Sequence, residues 1–182
     1  PLLGRRVIDW TLDAFRNHPD IDKICVVLHP DDFETADLND VILTTGGATR
    51  DASVKNGLDA LVSDAPGHVL IHDAARATIS DAVISDVIHA LATHDAAAPA
   101  LPVTDALWTG ENGLVTGTRD RSRLFRAQTP QGFAFSKILN AHQTNSVPAA
   151  DDVEIARRAG MDVAITQGCE GNLKVTYPED FA

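Results

Sequence analysis

Apolar residues recur along this chain in two alternating periods. Ile8, Leu12 and Phe15 stand at helical spacing. The short β-branched run at residues 24–28, Ile-Cys-Val-Val-Leu, predicts a buried strand. Val41, Ile42, Leu43 and Thr44 predict another. Val54, Leu58 and Leu61 return to helical spacing, with Ser53 near the start as a candidate N-cap. Val69, Leu70 and Ile71 form a strand. Ile84, Val87, Ile88 and Leu91 mark the next helix, capped by Ser80 or Asp81. Residues 96–103 are extended but interrupted by Pro99 and Pro102, a strand with irregular ends. Residues 153–159 are helical, and Gly160 suits the end of that helix. Val163 to Thr166 close the series as a strand. Strand–helix alternation of this kind predicts an α/β fold: a doubly wound, mostly parallel sheet with helices on both faces.

Residues 105–119 break the alternation. Asn112-Gly113 between apolar residues is a hairpin signal. By itself it predicts a solvent-exposed hairpin.

The most informative stretch is Val69-Leu70-Ile71-His72-Asp73-Ala74-Ala75-Arg76, where an apolar run ends abruptly in an acid, two small residues and an arginine. In open α/β sheets the carboxyl end of a strand is where ligands bind. An Asp there can hold a metal, and an Arg three residues on can hold a phosphate. The segment alone leaves a second reading open, a strand leaving the core with a surface salt bridge. Gly46-Gly47 lets backbone approach a ligand, with Arg50 and Ser53 following. Lys174 lies inside an apolar, strand-like stretch, either an edge-strand lysine or a cation serving a reaction.

Totals narrow the classes. A length of 182 residues suits a single domain, and 15 basic against 26 acidic residues give a net charge of −11, which disfavours a nucleic-acid binder. No apolar run approaches a membrane span. The two cysteines, Cys25 and Cys169, have no metal-ligand spacing and fit a reducing cytoplasm as packing residues. Seven scattered histidines argue against zinc. Arg119, Arg121, Arg123 and Arg126 concentrate positive charge on an otherwise acidic chain, which focuses anionic substrates.

Four segments occur together and in order: Gly46-Gly47-Ala48-Thr49-Arg50-Asp51-Ala52-Ser53-Val54, the run from His72 to Arg76, Gln128-Thr129-Pro130-Gln131, and Gly171-Asn172-Leu173-Lys174-Val175-Thr176. Each is weak alone. Together they resemble the 2-C-methyl-D-erythritol 4-phosphate cytidylyltransferase family of non-mevalonate isoprenoid biosynthesis, over nearly the whole chain. The resemblance implies a Rossmann-like nucleotidyltransferase that joins a polyol phosphate to CTP with Mg²⁺. It implies Gly46, Gly47, Ser53, Asp73, Ala74 and Lys174 on the nucleotide side, and Asp73, Arg76, Arg121 and Thr129 on the acceptor side. Lys174, Asp73 and Arg121 are the implied catalytic residues, with Asp73 near the metal directly or through water. It also implies that residues 105–119 form a projecting β-arm that embraces a second subunit, with exposed Trp108 as an anchor.

The sequence departs from the family pattern in three places. Ala48 stands where an acid often follows the glycines. Ala150-Asp151-Asp152 stands for Thr-Asp-Asp, and Asp105-Ala106-Leu107-Trp108 for Asp-Thr-x-Lys. Cytidylyl transfer to another polyol phosphate such as ribitol 5-phosphate is the nearest alternative, and Ala75 favours the first reading over it. A non-catalytic nucleotide-binding domain is the third. The family carries a strand and a glycine-rich loop ahead of the position matched by Pro1, and residues 31–41 are short against it, so the chain reads as cut. Residues 176–182 read as a helix start. Some bifunctional relatives continue into a cyclodiphosphate synthase.

Overall fold

The computed structural model describes residues 2–34 and 36–181; Pro1 and Ala182, the two ends read above as cut, lie outside the described residues. Helix α1 (Val7–Arg16) buries Leu12 and Phe15, the periodic positions. Strand β1 (Cys25–Leu28) leads through a short helix α2 (Pro30–Phe33) to β2 (Ile42–Thr45), which pairs with β1 in parallel. Helix α3 (Arg50–Ala60) starts earlier than expected. Its N-cap is Thr49, whose hydroxyl accepts from the Ala52 N–H, while Ser53 lies in the first turn and turns its own hydroxyl back to the Thr49 carbonyl at 2.9 Å.

Strand β3 (His68–Ile71), helix α4 (Asp81–Ala90) and strand β4 (Ala96–Pro102) follow as the sequence predicts. Next come the hairpin strands β5 (Leu107–Glu111) and β6 (Leu114–Arg119), which pair antiparallel as a separate two-stranded sheet. Asn112 and Gly113 take φ of +50° and +80° at the turn, the left-handed backbone that such a two-residue connection needs. Strands β7 (Phe125–Ala127) and β8 (Gln131–Ala134), helix α5 (Phe135–Thr144), helix α6 (Asp152–Arg158) and strand β9 (Val163–Gln167) complete the order before a 3₁₀ turn at Pro178–Phe181. Gly160, at φ +85°, ends α6 as expected.

The described strands form mixed sheets, which corrects the mostly parallel expectation. The main sheet runs β3-β8-β4-β7, with β9 on β4. β4 and β9 are parallel, but β8 runs against both β3 and β4, and β7 runs against β4. The reason is the connection: between β4 and β7 the chain passes only through the hairpin, with no crossover helix, so it returns antiparallel to β4. The pair β1–β2 stands apart from this sheet.

Helices cover both faces of the main sheet. Ala96 packs with Leu58, Ile138 and Ile155 from α3, α5 and α6, whereas the next residue, Ala97, packs with Val87 and Leu91 at α4. Adjacent strand residues point to opposite faces, so β4 is buried on both sides. A cavity of about 830 Å³ is lined by Val26 and Leu28 of β1, Val69 and Ile71 of β3, and by Arg50 and Asp73.

Candidate active site

The apolar run of β3 ends at Ile71, and the next five residues form a turn closed by the Arg76 N–H donating to the Asp73 carbonyl at 3.0 Å. Three neighbours hold this turn. Thr11 of α1 donates its hydroxyl to the Ala74 carbonyl at 2.7 Å. The Val175 N–H donates to the Ala75 carbonyl at 2.9 Å. Thr129, just before the cis Thr129–Pro130 bond, accepts from the Asp73 N–H at 3.1 Å.

His72 is fixed as a neutral ring by the same contacts. Its Nε2 lies 3.3 Å from the Arg76 carbonyl, which can only accept, so Nε2 carries the proton. Nδ1 then accepts from the Thr129 hydroxyl at 2.9 Å. Burial, with the Phe15 ring tilted against it at a centroid distance of 4.8 Å, pushes the imidazole pKa down to about 4. An unfolded chain binds that proton near 6.5, so between 6.5 and 4 the unfolded state holds more protons and stability is lost as the pH is lowered through that window. Urea unfolding is expected to give a fold about 2 kcal/mol weaker at pH 5 than at pH 7. His72→Asn should flatten that slope; an unchanged slope would remove His72 as its source.

Asp73 gathers the cations. Its Oδ2 lies 3.3 Å from Lys174 Nζ and 3.4 Å from Arg76 Nε. Arg76 is mostly withdrawn from solvent and donates through Nη1 to the Asn172 carbonyl at 2.8 Å. Its Nε is buried without a hydrogen-bond partner among the described residues. The Lys174 side chain is half exposed and free to turn towards a ligand. Asn172, fully buried, donates to the Thr129 carbonyl at 2.8 Å, and Gln128 bridges to Cys169, so the strand-end turn, residues 128–131 and residues 169–175 form one unit.

The glycine-rich turn lies beside it. The Gly46 N–H donates to Leu28 and the Gly47 N–H donates to the Ser53 hydroxyl at 3.1 Å. A Cβ on Gly47 would stand 2.5 Å from that of Ala52, so this turn admits no side chain. Ser53, Arg50, Asp73 and Ala74 share the cavity wall.

Of the residues singled out from sequence, the structure therefore brings together Gly46, Gly47, Ser53, Asp73, Ala74, Arg76 and Lys174. Thr129 joins them from beneath, its hydroxyl spent on His72 and Asp73 rather than turned outward. Arg121 does not join. It is exposed on the loop after β6, with no side-chain hydrogen bond or ion pair among the described residues. Sequence reasoning missed a buried cluster. Asp152 is fully buried and accepts from Arg50 at 2.6 Å and from His142 at 3.0 Å. Burial would raise its pKa, but those hydrogen bonds and the Arg50 charge hold it below the usual carboxylate range.

A sequence profile of the family 2-C-methyl-D-erythritol 4-phosphate cytidylyltransferase matches residues 1–182. The chain belongs to that family. A cytidylyltransferase of that name from Cereibacter sphaeroides is 52% identical over 188 residues, covering 100% of this chain and 84% of its own. A bifunctional IspD/IspF enzyme from Ruegeria pomeroyi is 53% identical over 185 residues, and there the chain spans 49% of the relative's length. The crystal structure of the 2-C-methyl-D-erythritol 4-phosphate cytidylyltransferase from Thermus thermophilus superposes with a TM-score of 0.87 at 33% identity, covering 100% of this chain and 88% of that one. Cytidylyltransferases of this family thus share the α/β architecture described above. Among the described residues, no helix is long and apolar enough to cross a membrane.

Proposed function

We propose that this chain transfers a cytidylyl group from CTP to 2-C-methyl-D-erythritol 4-phosphate. An oxygen of the acceptor phosphate bonds to the α-phosphorus of CTP, the bond to the bridging oxygen breaks, and pyrophosphate leaves. The acceptor's second pKa is about 6, so it is mostly a dianion at neutral pH and needs no strong base. The obstacle is repulsion between polyanions, which cations relieve. The observation that carries the reading is the convergence of Lys174 and Arg76 on the single carboxylate of Asp73 at the end of β3. Both nitrogens of His72 are engaged, so the cluster holds cations in place of a base.

Lys174 neutralises charge on the α-phosphate. Gly46, Gly47, Ser53 and Ala74 hold the cytidine side, and Arg76 faces the acceptor, with Thr129 fixing the strand end beneath it. Asp73 is one carboxylate at the cavity wall, and no group of three or more His, Cys, Asp or Glu placed to hold a metal ion by themselves occurs among the described residues. That donor set fits Mg²⁺, which takes one or two carboxylates and completes its shell from phosphate oxygens and water. When bound there, the ion supplies positive charge to the triphosphate.

The doubly wound arrangement belongs to the same reading. The parallel pairs β1–β2 and β4–β9, with helices on both faces of the main sheet, support it. We also infer a homodimer working in the cytoplasm. The β5–β6 hairpin leaves Trp108 68% exposed and also exposes Leu114 and Val115, apolar surface suited to a second copy. Arg121 then serves the acceptor phosphate in the neighbouring subunit. Arg121→Ala is expected to raise the KM of the acceptor about tenfold or more with the KM of CTP unchanged. At an acceptor concentration well below the raised KM, where both variants turn over slowly, mixing Lys174→Ala with Arg121→Ala chains should restore activity by forming one intact site per mixed dimer; no recovery on mixing would return Arg121 to its own subunit's surface.

The direct test of the reaction is pyrophosphate release with CTP, Mg²⁺ and methylerythritol phosphate. Release that needs both substrates supports the proposal. Release with ribitol 5-phosphate in its place would change the acceptor, and none with either would remove the activity.

A further inference from the structure

The buried Asp152 cluster joins parts of the molecule that are far apart in sequence. Asp152 opens α6, yet its side chain is fully buried and both oxygens are engaged. Oδ2 accepts from Arg50 Nη2 at 2.6 Å, and Oδ1 accepts from His142 Nε2 of α5 at 3.0 Å. Arg50 is the first residue of α3, immediately after the glycine turn, and lines the cavity with Ser53 and Asp73. Its guanidinium spends one nitrogen on Asp152 and has no other hydrogen bond among the described residues, and the side chain is 39% exposed. The next residue strengthens the tie: Asp51 Oδ2 accepts from the Ala149 N–H at 3.4 Å. Residues 151–153 are anchored in turn to β8. The Gln131 side chain donates to Asp151 at 2.9 Å and accepts from the Val153 N–H at 3.1 Å.

The direction of control follows from the packing. Asp152 is fully buried with each oxygen held by one partner and does not line the cavity, whereas Arg50 does and keeps free N–H groups. We propose that Asp152 is a positioning residue for nucleotide binding, holding the Arg50 guanidinium and the Gly46–Gly47–Ser53 turn against the cavity where CTP sits. Arg50 presents its remaining N–H groups there to an acceptor oxygen of the nucleotide. His142 acts one step further back, saturating the second carboxylate oxygen so that the first stays aimed at Arg50. The assignment rests on the cytidylyl-transfer reading, but equilibrium binding tests it without turnover.

Asp152→Asn keeps the shape and removes the charge. It is expected to weaken CTP binding, measured by titration calorimetry on the full chain, by about tenfold, the loss of one charge-assisted hydrogen bond. The KM of the acceptor should stay within about twofold, and kcat at saturating CTP likewise. Arg50→Ala should give a similar loss, and the double variant should be no worse than Arg50→Ala alone, because Asp152 acts through Arg50. A merely structural role predicts losses that multiply and reach both substrates. If Asp152→Asn does not fold, Arg50→Lys serves instead, since one ammonium cannot hold Asp152 and face the cavity together. The same selective loss of CTP affinity is expected, and undiminished affinity would overturn the proposal. CTP binding unaltered in an active Asp152→Asn enzyme would sink this inference alone. CTP binding weakened as described in a chain that turns over neither acceptor would sink the functional reading and leave this one standing.

Discussion

Lys174→Ala is expected to lower kcat by about 10²–10³-fold, the usual cost of removing one preorganised charge from a transition state. The geometry says why the fold should survive. Lys174 is half exposed, and its ion pair with Asp73 spans 3.3 Å. An exposed pair of this kind contributes roughly 0–1 kcal/mol to stability. Thermal unfolding should therefore move little while turnover collapses. The diagnostic feature is an equal fall in kcat and kcat/KM, which marks an interaction made in the transition state and not in ground-state binding. Wild-type turnover in the folded variant would take Lys174 out of the mechanism.

Asp73→Asn should cost at least a comparable factor, roughly 10²-fold or more, but with the opposite effect on ligand affinity. The substitution keeps the backbone N–H that Thr129 accepts and removes only the charge shared by Lys174 and Arg76. Those two cations then face the cavity without their common counter-ion. In metal-free buffer the variant should bind pyrophosphate more tightly than the wild type, although it turns over far less. With magnesium present, more of the ion should be needed for half-maximal activity. Tighter pyrophosphate binding in Lys174→Ala, or weaker binding in Asp73→Asn, would reverse the roles given to the pair.

The turn after β3 was legible because its signal is local. An apolar run that stops at an acid marks a strand end whatever the rest of the chain does. Lys174 stood out for the same reason, a cation in an apolar stretch. The start of α3 was misplaced because Ser53 has the chemistry of a cap but turns its hydroxyl back one helical turn to Thr49, a competition that residue type alone does not decide. Strands β7 and β8 were invisible. They are three and four residues long and separated by Pro130, and their extended form is imposed by the edges of β3 and β4, which no local window contains. Asp152 was hidden differently. Two acids before an apolar helix read as caps, and Asp151 is one, accepting from the Glu154 N–H. That its neighbour turns inward depends on Arg50, 102 positions away.

The isolation of the β5–β6 hairpin also bears on how this fold can vary. Among the described residues its two strands pair only with each other and add nothing to the main sheet. Its length and sequence can therefore change without disturbing the buried strand β4, so the surface it offers to a second copy and the reaction site can diverge independently.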